Sequence, residues 1–530
     1  MRLLRPPFSL IVFRRMVCLA PRACAQGRLF ALLAALASPL AAAQYYQSDF
    51  PPEEFRARWE RIFDRIGDNA VALVQGAPLA RGFEYPRQTN SFYYLSGIET
   101  PHSYLWLDGR SREVTIFLPP RNEKLEQGEG RLLSAATSEL VKRLVGVDHV
   151  ASTEDMQGNW LREALAGDGS GNARDLPALY TPFRPEEGHA QSRYELDLAN
   201  TAIANDHWDG RLPRELRLVG LLKARGPKPW DAPELQVRDL SPILDDLRMI
   251  KSDREIALIR RASEIAGLGV MEAIRSTEPG VYEYQLDAAA RYVFLASGAR
   301  LDGYRSITAS GVENINTGHY FRNTRELRSG DLVLMDYAPD YRYYVSDIGR
   351  MWPVSGRFTA EQRELLEPIL RYRDALIARI RPGVKAATIL EEAAAIMELW
   401  FEANPFANKR YEAAAREMVE KGSGAFSHPV GMAVHDDGDY NYRRLPLAPG
   451  MVFSVDPTLR VAEENLYLRY EDTVVVTETG VENFTAFLPS ELDDLEALME
   501  EEGVVQKVRL ALLPVGSEQD VLSKQGPGGA

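Results

Sequence analysis

Four carboxylates in the C-terminal half of the chain arrive as two matched pairs. Asp336 ends the apolar run Leu332-Val333-Leu334-Met335, and Asp347 follows Tyr343-Tyr344-Val345-Ser346. Asp456 ends Met451-Val452-Phe453-Ser454-Val455, and Glu471 follows Leu468-Arg469-Tyr470. A strand, a turn at Pro339-Asp340 and a returning strand over 343–346 would bring the first pair to one end of adjacent strands. Four close carboxylates repel one another unless a cation neutralises them. Two divalent ions about 3.5–4 Å apart would do so. A site rich in oxygen and poor in nitrogen favours hard or borderline metals, manganese among them. Of seven histidines, His319, His428 and His435 flank these strands. A lone histidine is more often a core or surface residue, so the argument rests on the set.

The elements that must position these groups repeat. Gly330 to Asp336 and Gly450 to Asp456 each read as a glycine, an apolar strand and an aspartate at the same offset. Pro279-Gly280-Val281 and Pro382-Gly383-Val384 each precede an Ala-rich helical stretch. Two similar halves, each delivering two carboxylates, predict a duplicated fold with its site on a pseudo-two-fold axis.

Before these halves the sequence reads as a separate α/β domain. Phe55, Trp59, Ile62, Phe63 and Ile66 fall at helical spacing. Residues 70–74 read as a buried strand. Residues 104–107 and 114–118 read as a pair joined at Asp108-Gly109. Glu255 to Ala266 fits a helix with one apolar face. Tyr93, Tyr94 and Trp106 read as core. A Gly-rich loop covers 167–172, and Asp436-Asp437-Gly438-Asp439 reads as a solvated turn rather than a calcium loop, since it lacks the spaced oxygens. The expected division is a leader over 1–43, a first domain over 44–240, a second over 245–490, and an acidic helix with a disordered tail over 491–530.

Bulk properties exclude several functions. A net charge of −14 argues against a nucleic-acid partner, which needs a basic face. Both cysteines, Cys18 and Cys24, lie in the leader, so the rest of the chain has no thiol nucleophile and no Cys zinc site. Arg28, the apolar run 29–37 and Ala41-Ala42-Ala43 form a secretory signal pattern, with cleavage near Ala43 and Gln44. The run is too short to span a bilayer. The mature protein is therefore expected in the periplasm or outside the cell, with no membrane span.

The motifs resemble a known family. Leu334-Met335-Asp336 with Ser346-Asp347-Ile348-Gly349-Arg350 is similar to the first two metal ligands of the pita-bread metallopeptidases. Ser427-His428 and Val434-His435-Asp436 resemble the metal-binding histidine and a substrate-facing one. Leu468 to Asp472 resembles the strand carrying the last, bridging Glu, and His319 the substrate-side histidine. Residues 87–97 resemble the domain that precedes this fold in aminopeptidase P. The likeness runs from about Phe55 to Thr485. It implies an α/β (α+β) protein, with a duplicated pita-bread domain after a smaller α/β domain. It further implies two divalent ions, manganese first, with zinc, cobalt or iron as other occupants. Asp336 and Asp347 would hold one. Asp347, His428, Asp456 and Glu471 would hold the other, with Asp347 and Glu471 bridging. The implied reaction is removal of an N-terminal residue from a peptide, with proline second, by a metal-bridging hydroxide. Asp456 would shuttle the proton. His319, His435 and Arg469 would contact the peptide. A homo-oligomer is expected. A prolidase-like dipeptidase and a metal-weakened binding protein are the alternatives. Two positions depart from the family pattern: Asp456 stands where Glu is usual, and Gly424 where a histidine often precedes the metal-binding one.

Overall fold

The computed structural model describes residues 47–80, 82, 84–166, 177–186, 192–226, 235–436 and 441–511. The leader, the loop 167–172, Asp437 to Asp439 and the tail from 517 lie outside them. Contacts divide the chain into two units. Residues 122–132 belong to the first and carry a helix, Glu123–Glu129, whose Leu125 N–H is capped by Asn122. The remaining described residues belong to the second.

Its first sheet is mixed and six-stranded. The strands are β1 (Ala70–Gln75), β2 (Tyr104–Asp108), β3 (Glu113–Leu118), β4 (His149–Ser152), β5 (Ala178–Thr181) and β6 (Val237–Asp239), in the order β4-β3-β2-β1-β5-β6. β1 is apolar on both faces because it lies in the middle, as a strand covered on both sides must be. The helix Pro52–Ile66 starts with proline at its first turn, where a missing N–H costs nothing, and buries Phe55, Trp59, Ile62, Phe63 and Ile66. Tyr93, Tyr94 and Trp106 are core residues.

The second half holds the echo as matching strands and matching hydrogen bonds. Its first sheet joins β8 (Ile307–Ser310), β9 (Leu332–Asp336) and β11 (Gly349–Pro353), and β10 (Pro339–Asp340) pairs with β7 (Leu301–Asp302). Its second sheet joins β12 (Val452–Val455), β15 (Asp472–Val476) and β16 (Val481–Asn483). β13 (Thr458–Val461) and β14 (Leu466–Arg469) form a ribbon between β12 and β15 in sequence. Gly280 donates to Leu327 O and Leu327 to Val281 O. In the second copy Gly383 donates to Leu447 O and Leu447 to Val384 O. Gly280 and Gly383 both take left-handed φ values, +86° and +80°, which is why glycine recurs at this turn. The two sheets meet where Gly349 and Glu471 exchange backbone hydrogen bonds of 3.2 and 3.0 Å.

Two expectations change. The strand that returns to β9 is β11, over 349–353, and not 343–346. Arg342 and Tyr343 have positive φ, 53° and 76°, which breaks an extended run. Tyr343 instead stacks on Tyr93 at 3.5 Å and donates to Glu99, while Tyr344 donates to Glu255. These tyrosines serve a core that the first-sheet region shares with Leu244, Ile259, Val430 and Val434. The second change is Asp436, which is buried rather than solvated. Arg248 and Lys251 reach it at 2.5 and 3.2 Å, and it accepts from the N–H groups of Met432 and Ala433. These contacts hold it down at about 2 against the cost of burial. No helix of the described residues is long and apolar enough to cross a membrane.

Candidate metal centre

The strand ends bring the carboxylates together. Asp336 ends β9 opposite Gly349, and Asp347 stands two residues before that glycine. Asp456 directly follows β12, and Glu471 directly precedes β15. His428 is set by the hydrogen bond from Ser454 N–H to its carbonyl. All five side chains are buried.

One donor atom each from Asp347, His428 and Glu471 lies within 4.8 Å of the others. His428 Nδ1 faces the Pro429 carbonyl at 3.3 Å. A carbonyl can only accept, so the proton sits on Nδ1 and Nε2 presents a lone pair. That lone pair faces Asp347 Oδ2 at 3.2 Å and Glu471 Oε1 at 4.0 Å. Burial pushes His428 down to about 4, so the ring is neutral near pH 7. With Asp347 and Glu471 ionised, three acceptors converge without a donor among them.

Asp336 and Asp456 are held differently. Arg469 pairs with Asp336 and lies 3.6 Å from Asp456 Oδ2. Tyr304 OH lies 2.6 Å from Asp336 Oδ1 and 2.9 Å from Asp347 Oδ1, tying the first pair together. Burial pushes the carboxyls of Asp347, Asp456 and Glu471 well above their ordinary values, and neighbouring carboxylates add to it: Asp336 for Asp347, Glu471 for Asp456 and Asp347 for Glu471. Asp456 Oδ1 and Glu471 Oε2 are buried without a hydrogen-bond partner among the described residues. Orphaned buried acceptors are rare in folded proteins. This donor set therefore fits divalent cations.

His435 is half-buried, its ring centroid 3.9 Å from that of His428. Burial, then His428 and His319, push it well below its ordinary value. His319 is exposed and stacks on Phe321 at 6.1 Å. Gly424, in the left-handed region at φ +70°, lies against the Asp456 backbone.

Tyr304, Ser454 and Thr473 also reach the site, though no motif marks them. Ser454 donates to Glu471 Oε1. Thr473 Oγ1 accepts from Asp347 N–H at 2.9 Å and donates to its carbonyl at 2.6 Å. The alternation of β12 and β15 held a signal, since Ser454 and Thr473 are opposite each other in register.

Residues 257–478 match metallopeptidase family M24, and residues 55–170 match the aminopeptidase P N-terminal domain. The Xaa-Pro aminopeptidase of Escherichia coli K12 is 30% identical over 475 residues, covering 85% of this chain and 98% of that one. This chain belongs to the aminopeptidase P family. Human Xaa-Pro aminopeptidase 3 is 28% identical over 431 residues, covering 78% of this chain and 76% of that one. The zinc-substituted E. coli aminopeptidase P in complex with product superposes with a TM-score of 0.67 at 27% identity, covering 86% of this chain and 99% of that one. The proline aminopeptidase P II of Yersinia pestis superposes with a TM-score of 0.64 at 29% identity, covering 85% and 100%. The fold is accordingly an aminopeptidase-P-type N-terminal domain followed by a pita-bread domain, and the protein is a metallo-aminopeptidase.

Proposed function

We propose that this enzyme releases the N-terminal residue of peptides whose second residue is proline, using two divalent cations, manganese first among them. The observation that carries this reading is the acceptor-only cluster of Asp347, His428 and Glu471 beside the orphaned Asp456 Oδ1. The names of the relatives, Xaa-Pro aminopeptidases, support the proline preference.

Asp336 and Asp347 would hold one cation, and Asp347, His428, Asp456 and Glu471 the other. When bound, the pair lowers the pKa of a shared water and polarises the scissile carbonyl. Asp456 takes up a proton at Oδ1 and returns it to the leaving nitrogen. His435 and His319 donate hydrogen bonds to the peptide, which strengthen as charge builds on its carbonyl oxygen. Arg469 supplies a fixed positive charge between Asp336, Asp456 and the substrate side. Residues 44–240 form the non-catalytic domain and 245–490 the catalytic one in this reading. A cleaved leader over 1–43 and a homo-oligomeric mature protein in the periplasm or medium belong to it as well.

A single-cation centre is the second reading. It is favoured by the three residues that already cluster within 4.8 Å while Arg469 occupies Asp336. Counting bound manganese per chain separates the two. Assay of a tripeptide with proline second, against an Xaa-Pro dipeptide, tests the activity. Cleavage of the dipeptide alone would replace the aminopeptidase reading with a prolidase one.

A further inference from the structure

Ser192 lies far from the metal carboxylates in sequence, yet its Oγ sits 2.8 Å from Nδ1 of His435. It is buried, and it caps the helix Arg193–Ala204, where its Oγ accepts the Glu195 N–H at 3.3 Å. That capping bond uses an oxygen lone pair and leaves the hydroxyl proton free to be given away. Nδ1 of His435, 2.8 Å away, takes that proton when the ring carries its own on Nε2.

One helix, Ser241–Met249, fixes both partners. Its Asp245 pairs with Arg193, next to Ser192, and with Arg184 at 3.1 Å. Its Arg248 pairs with Asp436, next to His435. Asp436 in turn holds the backbone of 432–433 through two N–H groups. The loop is thereby anchored, but none of these bonds decides which way the imidazole carries its proton. The bond to Ser192 is the contact on Nδ1 itself, and its direction and the tautomer go together.

We propose that Ser192 is a positioning residue for His435: its hydroxyl donates to Nδ1 and keeps the ring proton on Nε2, the nitrogen that can donate to a peptide. The proposal rests on the reading of His435 as a substrate-facing donor. It makes the segment carrying Ser192 part of the catalytic apparatus, because that segment selects the tautomer of a histidine beside the metal centre.

The test is long-range proton–nitrogen NMR on zinc-loaded protein with labelled histidines, of which the chain has seven. His435 should show an unprotonated Nδ1 and a protonated Nε2. Ser192→Asp is the decisive variant, because Asp caps a helix as well as Ser but can only accept. It should move the proton to Nδ1 and lower kcat about 10- to 100-fold with KM little changed. Ser192→Thr, which keeps the hydroxyl, should restore both. A wild-type His435 protonated on Nδ1, or a tautomer unmoved in Ser192→Asp, overturns the proposal. Full activity in His435→Gln overturns instead the reading of His435 on which the positioning role depends, whatever the tautomer.

Discussion

Gly424 and Asp456 are pressed together backbone to backbone. The Asp456 N–H donates to the Gly424 carbonyl at 2.9 Å. A Cβ built on Gly424 would lie 1.7 Å from the Asp456 carbonyl oxygen. The two departures from the family pattern are therefore neighbours in space. The glycine leaves no side chain at the site, and it lets the chain close on the residue that carries the shorter carboxylate.

Gly424→Ala should therefore be strongly destabilising. The left-handed backbone costs a non-glycine residue about 1–2 kcal/mol, and the forced shift of Asp456 adds roughly 1–3 kcal/mol. Denaturant melts of metal-free protein measure this. A Gly424→Ala midpoint equal to wild type would show that the Asp456 backbone does not crowd this position.

The buried carboxylates make the metal-free protein sensitive to pH. Asp347, Asp456 and Glu471 are raised above ordinary values of 3.8 and 4.5, so the folded state keeps protons that the unfolded chain has released. Stability then falls as pH climbs above the ordinary values. His428 acts oppositely: lowered to about 4 from 6.5, it adds stability as pH rises across that interval. Above 6.5 the His428 contribution is complete, and any further change from the raised carboxyls lowers stability. Any change in the Tm of metal-free protein above pH 6.5 should therefore be a drop, and the gain on adding metal should grow as it drops. A Tm that rises above pH 6.5 without metal contradicts the raised carboxyls.

Glu471→Gln should change sign with metal. Its amide oxygen can still accept from Ser454, and it removes the cost of keeping a carboxyl, protonated or charged, buried next to Asp347. Metal-free protein should gain about 1–2 kcal/mol near neutral pH, while metal affinity falls at least about 10-fold. Calorimetric melts with and without manganese read both effects. Destabilisation in the two states alike would mean that Glu471 is simply structural.

Tyr304→Phe tests the tie between Asp336 and Asp347. The ring stays, so the fold should hold, but both carboxylates lose a shared donor. Metal affinity should fall about 10- to 100-fold. Unchanged affinity would remove Tyr304 from the site.

Arg350 joins the two halves at the Gly349–Glu471 bridge. It donates to the carbonyls of Gly349 and Glu471 and pairs with Asp472, with both side chains about 1% exposed. Arg350→Met leaves Asp472 short of a partner and should cost about 3–5 kcal/mol. A loss below about 1 kcal/mol would show that Arg373, the second cation near Asp472, suffices alone.

Much of this centre was legible because its parts are local. The matching runs ending at Asp336 and Asp456 encode strand, turn and ligand together, and Gly280 and Gly383 mark the same turn twice. Helix Pro52–Ile66 and strands β1 to β3 followed from apolar spacing. What could not be read was decided by distant partners. Tyr343 and Tyr344 have the composition of a strand, and only packing on Tyr93 and Glu255 turns them into a wedge. Asp436 looks like a solvated turn until Arg248 and Lys251 enclose it. Ser192 and Tyr304 carry no motif: Ser192 arrives as the cap of the helix Arg193–Ala204, and Tyr304 from the bend after β7. Gly424 read as a missing histidine, and its reason appears only beside Asp456.

The central claim is a two-cation aminopeptidase centre built on Asp336, Asp347, His428, Asp456 and Glu471. Its most direct test is to titrate metal-stripped protein with manganese while following release of the first residue from a tripeptide with proline second. Activity should appear with added metal and reach its plateau at two equivalents per chain. Absence of cleavage at every metal level, or a plateau at one equivalent, would contradict it.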